Sequence, residues 1–212
     1  MDEQLLFLIN RSWTHPVLDW FMALVTSWGI WMVPTISFGV LMMVMGGLRE
    51  RAMLVCLGLV IGVGDGLVGA GLKNAVKRPR PYEVMAGVRM VNLQNVKPEI
   101  LQVVMPPKVR FSRPGKSHGG RSFPSSHTLN NFAVATVLAL FYRRGVWWFP
   151  MAGLIGWSRI YTGSHWPSDV LISTMLGCGL ALILMALLDW LWRKFGATRW
   201  PALPSLIFFR TP

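Results

Sequence analysis

Acidic residues are scarce in this chain. Its 212 residues include 9 Asp and Glu against 21 Lys and Arg, and charged residues of both signs make up only 14% of it. Cysteine is scarcer still. Cys56 and Cys178 both fall inside apolar runs, which argues against a disulfide framework. Internal repeats and low-complexity tracts are lacking. No small-residue cleavage pattern follows the acidic Met1-Asp2-Glu3-Gln4, so a cleaved signal segment is not expected.

Apolar residues are what the chain has in excess, at 53%. That is greasier than an average soluble domain, and the length suits one domain rather than several. A hydrocarbon core about 30 Å thick takes a helix of roughly 20 apolar residues. The sequence therefore predicts an all-α, polytopic transmembrane helix bundle of about five spans, forming one domain over 1–212. Residues 1–28 hold two short apolar stretches with Trp13 and Trp20, expected to lie as interfacial helices; a single long tilted span over 17–47 is the alternative. The first two spans occupy 29–73. The first, 29–47, contains Pro34, which should kink it or mark its first turn. Arg49-Glu50-Arg51 then reads as a tight polar turn. The second, about 52–73, carries Gly58, Gly62, Gly64, Gly66, Gly69 and Gly71, which would let neighbouring helices approach. Residues 74–123 form a long polar, proline-rich loop, a kind of segment that is usually functional or mobile. Three further spans fill 124–192, at about 125–142, 146–162 and 169–192, and 193–212 is a basic tail.

A net charge of +12 would suggest a nucleic-acid partner in a soluble protein. Its distribution argues otherwise: between Lys73 and Arg121 there are 11 Lys or Arg and 2 Glu, a net of +9. In a membrane protein such a loop suits an anionic substrate or an anionic lipid surface, and no nucleic acid. Arg49 and Arg51, Arg143 and Arg144, and Arg193 and Lys194 mark the opposite side as cytoplasmic by the positive-inside bias. The long loop, the 163–168 turn and the N-terminus then lie outside.

Three polar clusters fall at helix ends on that outer side. Lys73-Asn-Ala-Val-Lys77-Arg78-Pro79-Arg80-Pro81 is the first. Pro124-Ser125-Ser126-His127 is the second. The third runs Ser158-Arg159 through Gly163-Ser-His165 to Asp169. Arg clamps phosphate oxygens by planar two-point bonding, and Lys acts as a point charge. Ser125 and Ser126, opening a helix, offer N–H groups and the helix dipole to an anion. His127 could give a proton to a leaving oxygen. Asp169, four residues after His165, would share its helix face. A carboxylate on one ring nitrogen makes the other a better nucleophile. Together these groups suit phosphoryl transfer through phosphohistidine.

The three clusters resemble the signature of the type 2 phosphatidic acid phosphatase family, which shares its site with the vanadium haloperoxidases. The family pattern is Lys, six residues, Arg-Pro; then Pro-Ser-Gly-His; then Ser-Arg, five residues, His, three residues, Asp. Lys73 with Arg80-Pro81 matches the first part, and Ser158-Arg159, His165 and Asp169 match the third. In the second, Ser126 stands where Gly is usual; its backbone N–H is kept, and only local backbone freedom is reduced. The resemblance implies that His165 is the nucleophile, Asp169 its orienting partner and His127 the general acid. It implies that Lys73, Arg80, Ser125, Ser126 and Arg159 hold the phosphate, with no metal and no other cofactor; the scarcity of Asp and Glu near the clusters agrees, since it offers no magnesium cage. It also implies a bacterial inner-membrane enzyme whose site faces the periplasm or exterior. Its substrate would be undecaprenyl pyrophosphate, phosphatidylglycerol phosphate, phosphatidic acid or a lipid A phosphate. A lipid phosphotransferase with the same site and a non-enzymatic lipid binder or transporter are the competing classes. A haloperoxidase is disfavoured, because those relatives are typically soluble.

Several residues have plainer readings. Arg143, Arg144, Arg193 and Lys194 read as topology anchors. Lys77 and Arg78 face either a headgroup or solvent. His118 reads as a surface histidine and His15, before Pro16, as a turn residue. Asp65, a charge within the second span, is costly there and calls for a partner; it lies eight residues before Lys73, roughly on the same face. Asn130 and Asn131 follow His127 by one turn and could support the site behind it or bond between helices.

Overall fold

The computed structural model describes residues 1–114 and 121–196. Lys116, His118 and the tail from 197 onward, with Arg199, lie outside the described residues.

Each expected span coincides with a helix. Helix α3, Trp28–Met45, keeps Pro34 inside it and buries none of its residues. A helix that is apolar on every side is suited to lipid. The second span is longer than expected. It runs unbroken through α4 (Leu48–Ile61), a π-helical stretch Gly62–Gly69 and α5 (Ala70–Val76). The preceding turn is made by Gly46-Gly47, both extended, while Arg49, Glu50 and Arg51 lie in the first turn of α4. Glycine breaks the helix more readily than the three charged residues, and Glu50 suits a helix N-terminus. At the far end Lys77 takes a left-handed conformation and stops α5.

Helix α7 (Ser126–Phe141) packs against α4, α8 (Trp148–Tyr161) and α9 (Pro167–Leu191). Helix α9 starts two residues earlier than expected, because Pro167 fits the first helical position. Among the described residues, three runs are long and apolar enough to cross a membrane: Trp28–Met45, Leu48–Val84 and Pro167–Phe195. Helices α7 and α8 have 16 and 14 residues.

One core cluster joins Met53, Cys56 and Val60 of α4 to Ala133 and Val137 of α7 and Ala181 of α9. The glycines of the second span do less than expected. A Cβ on Gly64 would stand 3.0 Å from Leu129 Cδ2, but around Gly58, Gly62, Gly66 and Gly71 there is open space. A far closer helix approach lies elsewhere, at Gly177 of α9, where a Cβ would collide with the Leu129 carbonyl of α7.

The described part of the polar loop forms a cap on the all-α bundle, with one small hairpin in it. It contains α6 (Pro81–Val84), a 3-10 turn Glu99–Val103, and a hairpin of β1 (Arg89–Asn92) and β2 (Lys108–Phe111), antiparallel with Arg89 opposite Phe111. Val88, just before β1, and Val91 within it are both buried. They meet Leu6, Ile9, Tyr161 and Trp166 in a second core cluster.

The N-terminal helices therefore do more than rest at an interface. Helix α1 (Asp2–Phe7) continues as π-helical Leu8–Ser12, and α2 (Pro16–Thr26) is capped by His15, whose ring accepts the Val17 N–H. Their inner faces seal the cap: fully buried Asn10 donates to the carbonyls of Arg89 and Tyr161 and accepts the Arg89 N–H. Their outer faces stay apolar and exposed at Leu5, Leu8, Val17 and Phe21.

At the opposite end the α3–α4 and α7–α8 turns meet. The Arg49 guanidinium donates to the Phe141 carbonyl, and the Tyr142 hydroxyl donates to Glu50 at 2.7 Å.

Candidate active site

The three polar clusters come together at the capped end. The Lys73 ammonium donates to the Ser126 hydroxyl, which ties the first cluster to the second. It also pairs with Asp65 at 3.8 Å, the partner that a charge inside the span required. The Trp166 indole donates to the Pro79 carbonyl at 2.9 Å, tying the first to the third. The Ser125 N–H donates to Ser173 Oγ of α9 at 2.9 Å.

The chain after α8 turns back on itself. The N–H groups of Ser164 and His165 both donate to the Arg159 carbonyl, at 3.0 and 3.2 Å. The turn needs Gly163, whose φ is +70° and whose Cβ would meet the Arg89 carbonyl at 2.5 Å and Val88 Cγ1 at 2.6 Å. A glycine is the residue that takes a left-handed φ without strain.

His165, only 4% exposed, is thereby held beside Arg159. Its Nδ1 lies 2.6 Å from the Ser122 carbonyl oxygen. A carbonyl only accepts, so Nδ1 carries the proton and Nε2 keeps its lone pair. Asp169 was expected in that place. Its nearest oxygen is 3.9 Å from Nδ1, beyond hydrogen-bond reach. The carboxylate acts one residue removed. It accepts the Ser122 hydroxyl at 2.5 Å, the Trp166 N–H at 3.2 Å and Arg78 Nη1 at 2.6 Å. Four residues bring two groups to one helix face only if both lie in the helix, and His165 precedes it.

Arg78 is not a solvated cation. It pairs with fully buried Asp169 on one side and with Asp2 at 2.7 Å on the other. Asp2 also accepts the Ser168 N–H and hydroxyl, at 2.9 and 2.5 Å. Burial raises the Asp2 pKa, but the hydrogen bonds from Ser168 and Arg78 outweigh it and hold the carboxyl below its usual value. For His165, burial and then the charges of Arg159 and Arg80 hold the ring well below the ordinary histidine value, against the opposing Ser122 bond. The imidazole is neutral at neutral pH.

Arg159 donates from Nη1 to Thr26 Oγ1 at 2.6 Å, while its Nε is buried without a hydrogen-bond partner. The His127 ring faces the Thr26 backbone. The Ser126, His127 and Thr128 N–H groups open α7 and have no carbonyl partner within it. Ser125, fully buried, accepts the Thr128 hydroxyl and donates its N–H to Ser173, so only Ser126 of the pair keeps its N–H open. Asn131 bonds the His127 carbonyl within α7, and Asn130 Oδ1 is buried without a partner. Among the described residues, no three His, Cys, Asp or Glu side chains gather where they could hold a metal ion.

Sequence reasoning passed over Ser122 and Thr26 and left Arg78 undecided. Arg78 had a signal, since it lies between Lys77 and Pro79 inside the first cluster. Thr26 had none: it is a lone hydroxyl in an apolar helix.

Fold and site together define a polytopic helical membrane protein whose polar chemistry is concentrated under a cap at one end. The chain belongs to the PAP2 superfamily, whose family model matches residues 51–193. It is 26% identical over 183 residues to a lipid A 4'-phosphatase of Bacteroides thetaiotaomicron, covering 84% of this chain and 72% of that protein. It is 40% identical over 62 residues to the bacitracin transport permease protein BcrC of Bacillus licheniformis, a match spanning 29% of this chain and 30% of that one. The crystal structure of Aquifex aeolicus LpxE shares the fold, with a TM-score of 0.60 at 23% identity over 85% of this chain and 92% of that one.

Proposed function

We propose that this protein is a lipid phosphate phosphatase of the bacterial inner membrane that works through phosphohistidine at His165, with its site facing the periplasm or exterior. The observation that carries this reading is the Ser122 carbonyl on Nδ1 of a buried, neutral His165, which leaves Nε2 as the nucleophile. The similarity to a lipid A 4'-phosphatase supports the lipid class of substrate. The earlier candidates remain: a polyprenyl pyrophosphate, phosphatidylglycerol phosphate, phosphatidic acid or a lipid A phosphate.

In the first step Nε2 attacks phosphorus and the bond to the leaving oxygen breaks. His127 gives that oxygen a proton. Arg159, Arg80 and Lys73, with the Ser126 N–H and hydroxyl, stabilise the equatorial oxygens. Water then attacks the phosphohistidine, His127 takes its proton, and phosphate leaves. Every group in this scheme belongs to the chain, so activity is expected to survive a chelator.

Phosphate release from a panel of these four lipids in detergent tests the reading. His165→Ala should abolish release, and denatured wild-type protein quenched during turnover should carry acid-labile phosphate on His165. Full activity in His165→Ala overturns the nucleophile. Labelled phosphate passing to an acceptor lipid, with little released free, would make the protein a phosphotransferase.

A further inference from the structure

A cavity of about 280 Å³ opens beside Arg159. The C-terminal end of α2 forms one wall, with Thr26 and Ser27; the chain leaving β1 forms the other, with Asn92 and Asn95, and Gln102 of the 3-10 turn closes it. Among the described residues, Arg159 is the one cation in the lining, and no acid lines it. Lys108, opposite Asn92 in the hairpin register, is not part of it.

The position of this cavity follows from the proposed chemistry, on which the inference rests. In-line displacement puts the leaving oxygen opposite the attacking Nε2, on the side of the general acid. The His127 ring faces Thr26, and Thr26 lines the cavity. Whatever group the phosphate is leaving therefore extends into this space.

Its walls say what that group is. A second phosphate accepts hydrogen bonds and draws cations, and the cavity offers one cation already committed to the first. An amide donates and accepts at once, as hydroxyl and acylamino groups require. Asn92 and Asn95 are exposed, and among the described residues their side chains make no hydrogen bond; Gln102 spends its Nε2 on the Val96 carbonyl at 3.2 Å and keeps its oxygen. We infer that the cavity is a leaving-group subsite for a neutral, hydroxyl- or amide-bearing ring, and that the substrate is a lipid phosphorylated on a sugar rather than a lipid diphosphate or phosphatidic acid.

The test compares kcat/KM for three probes in detergent: a glycolipid phosphorylated on a sugar ring, a phosphatidic acid and a polyprenyl diphosphate. The wild-type protein should prefer the glycolipid over each of the others by about tenfold or more. In Asn92→Leu/Asn95→Leu the ratio of glycolipid to phosphatidic acid turnover should fall about tenfold. The ratio is read on whatever fraction folds, so lost stability alone leaves it unchanged. If the double variant yields no folded protein, Asn95→Ser should move the ratio the same way, by about threefold. A wild-type preference for either other lipid, or a ratio that moves less than twofold, overturns the subsite. Hydrolysis of none of the three overturns the phosphatase reading itself, and with it the subsite.

Discussion

At His165 a main-chain carbonyl decides which ring nitrogen carries the proton, and the carboxylate that the motif suggests for this task stands behind it, on the Ser122 hydroxyl and Arg78. The two layers should separate by mutation. Ser122→Ala removes the hydroxyl but keeps the carbonyl, so kcat should fall by less than in Arg78→Ala. There the Asp169 carboxylate is left buried without its cation, and kcat should fall on the order of 10- to 100-fold with KM little changed. Steady-state kinetics on both variants checks the order. The lowered pKa of His165 has a stability consequence. In the unfolded chain the ring titrates at about 6.5; in the folded protein it stays neutral well below that. As pH falls below about 6.5 the unfolded state takes up a proton that the folded state refuses, so stability is lost. Tm should therefore drop more between pH 7 and pH 5 in the wild-type protein than in His165→Asn. The residues of the three motifs were legible in the sequence because their spacing is local and their types are rare in an apolar chain. Ser122 was not, because it acts through its backbone carbonyl, a group every residue has.

Among the elements, helices were the easiest to read, since runs of apolar residues long enough to cross a bilayer leave few alternatives. Their packing was harder. Six glycines in the second span suggested a contact face, yet the tight contact between α7 and α9 falls at Gly177 against the Leu129 carbonyl, because which glycine is used depends on the helix opposite. Gly177→Leu should separate α7 from α9 and lower Tm sharply, whereas Gly58→Leu, pointing into open space, should leave Tm nearly unchanged. Thermal unfolding in detergent distinguishes them. The hairpin was the element least visible beforehand. Its strands have four residues each, and β2, with every residue exposed, shows no buried face to give it a period. Gly163 couples this hairpin to the site. Gly163→Ala should cost on the order of 1–3 kcal/mol from the left-handed backbone alone, and its Cβ would also push β1 away from the turn that holds His165.

For the whole molecule, the bundle has two unlike ends. One gathers the cap, the N-terminal helices and the histidines; the other joins the arginine-bearing turns at Arg49 and Tyr142. The proposed orientation puts the first outside the cell. Single cysteines at Val104 and Val146, both exposed, test it in a background lacking Cys56 and Cys178. A membrane-impermeant maleimide applied to intact cells, with the outer membrane permeabilised if there is one, should label Val104→Cys and spare Val146→Cys; the reverse pattern inverts the topology. The contact of Asp2 with Arg78 and Ser168 bears on how such a protein is made. Asp2 is clasped by Ser168, a residue translated long after it. Until α9 is made, Asp169 is not there to meet Ser122 and Arg78 behind His165. The site can therefore close only after α9 is in place, since the contacts behind His165 join residues 2, 78, 122 and 169.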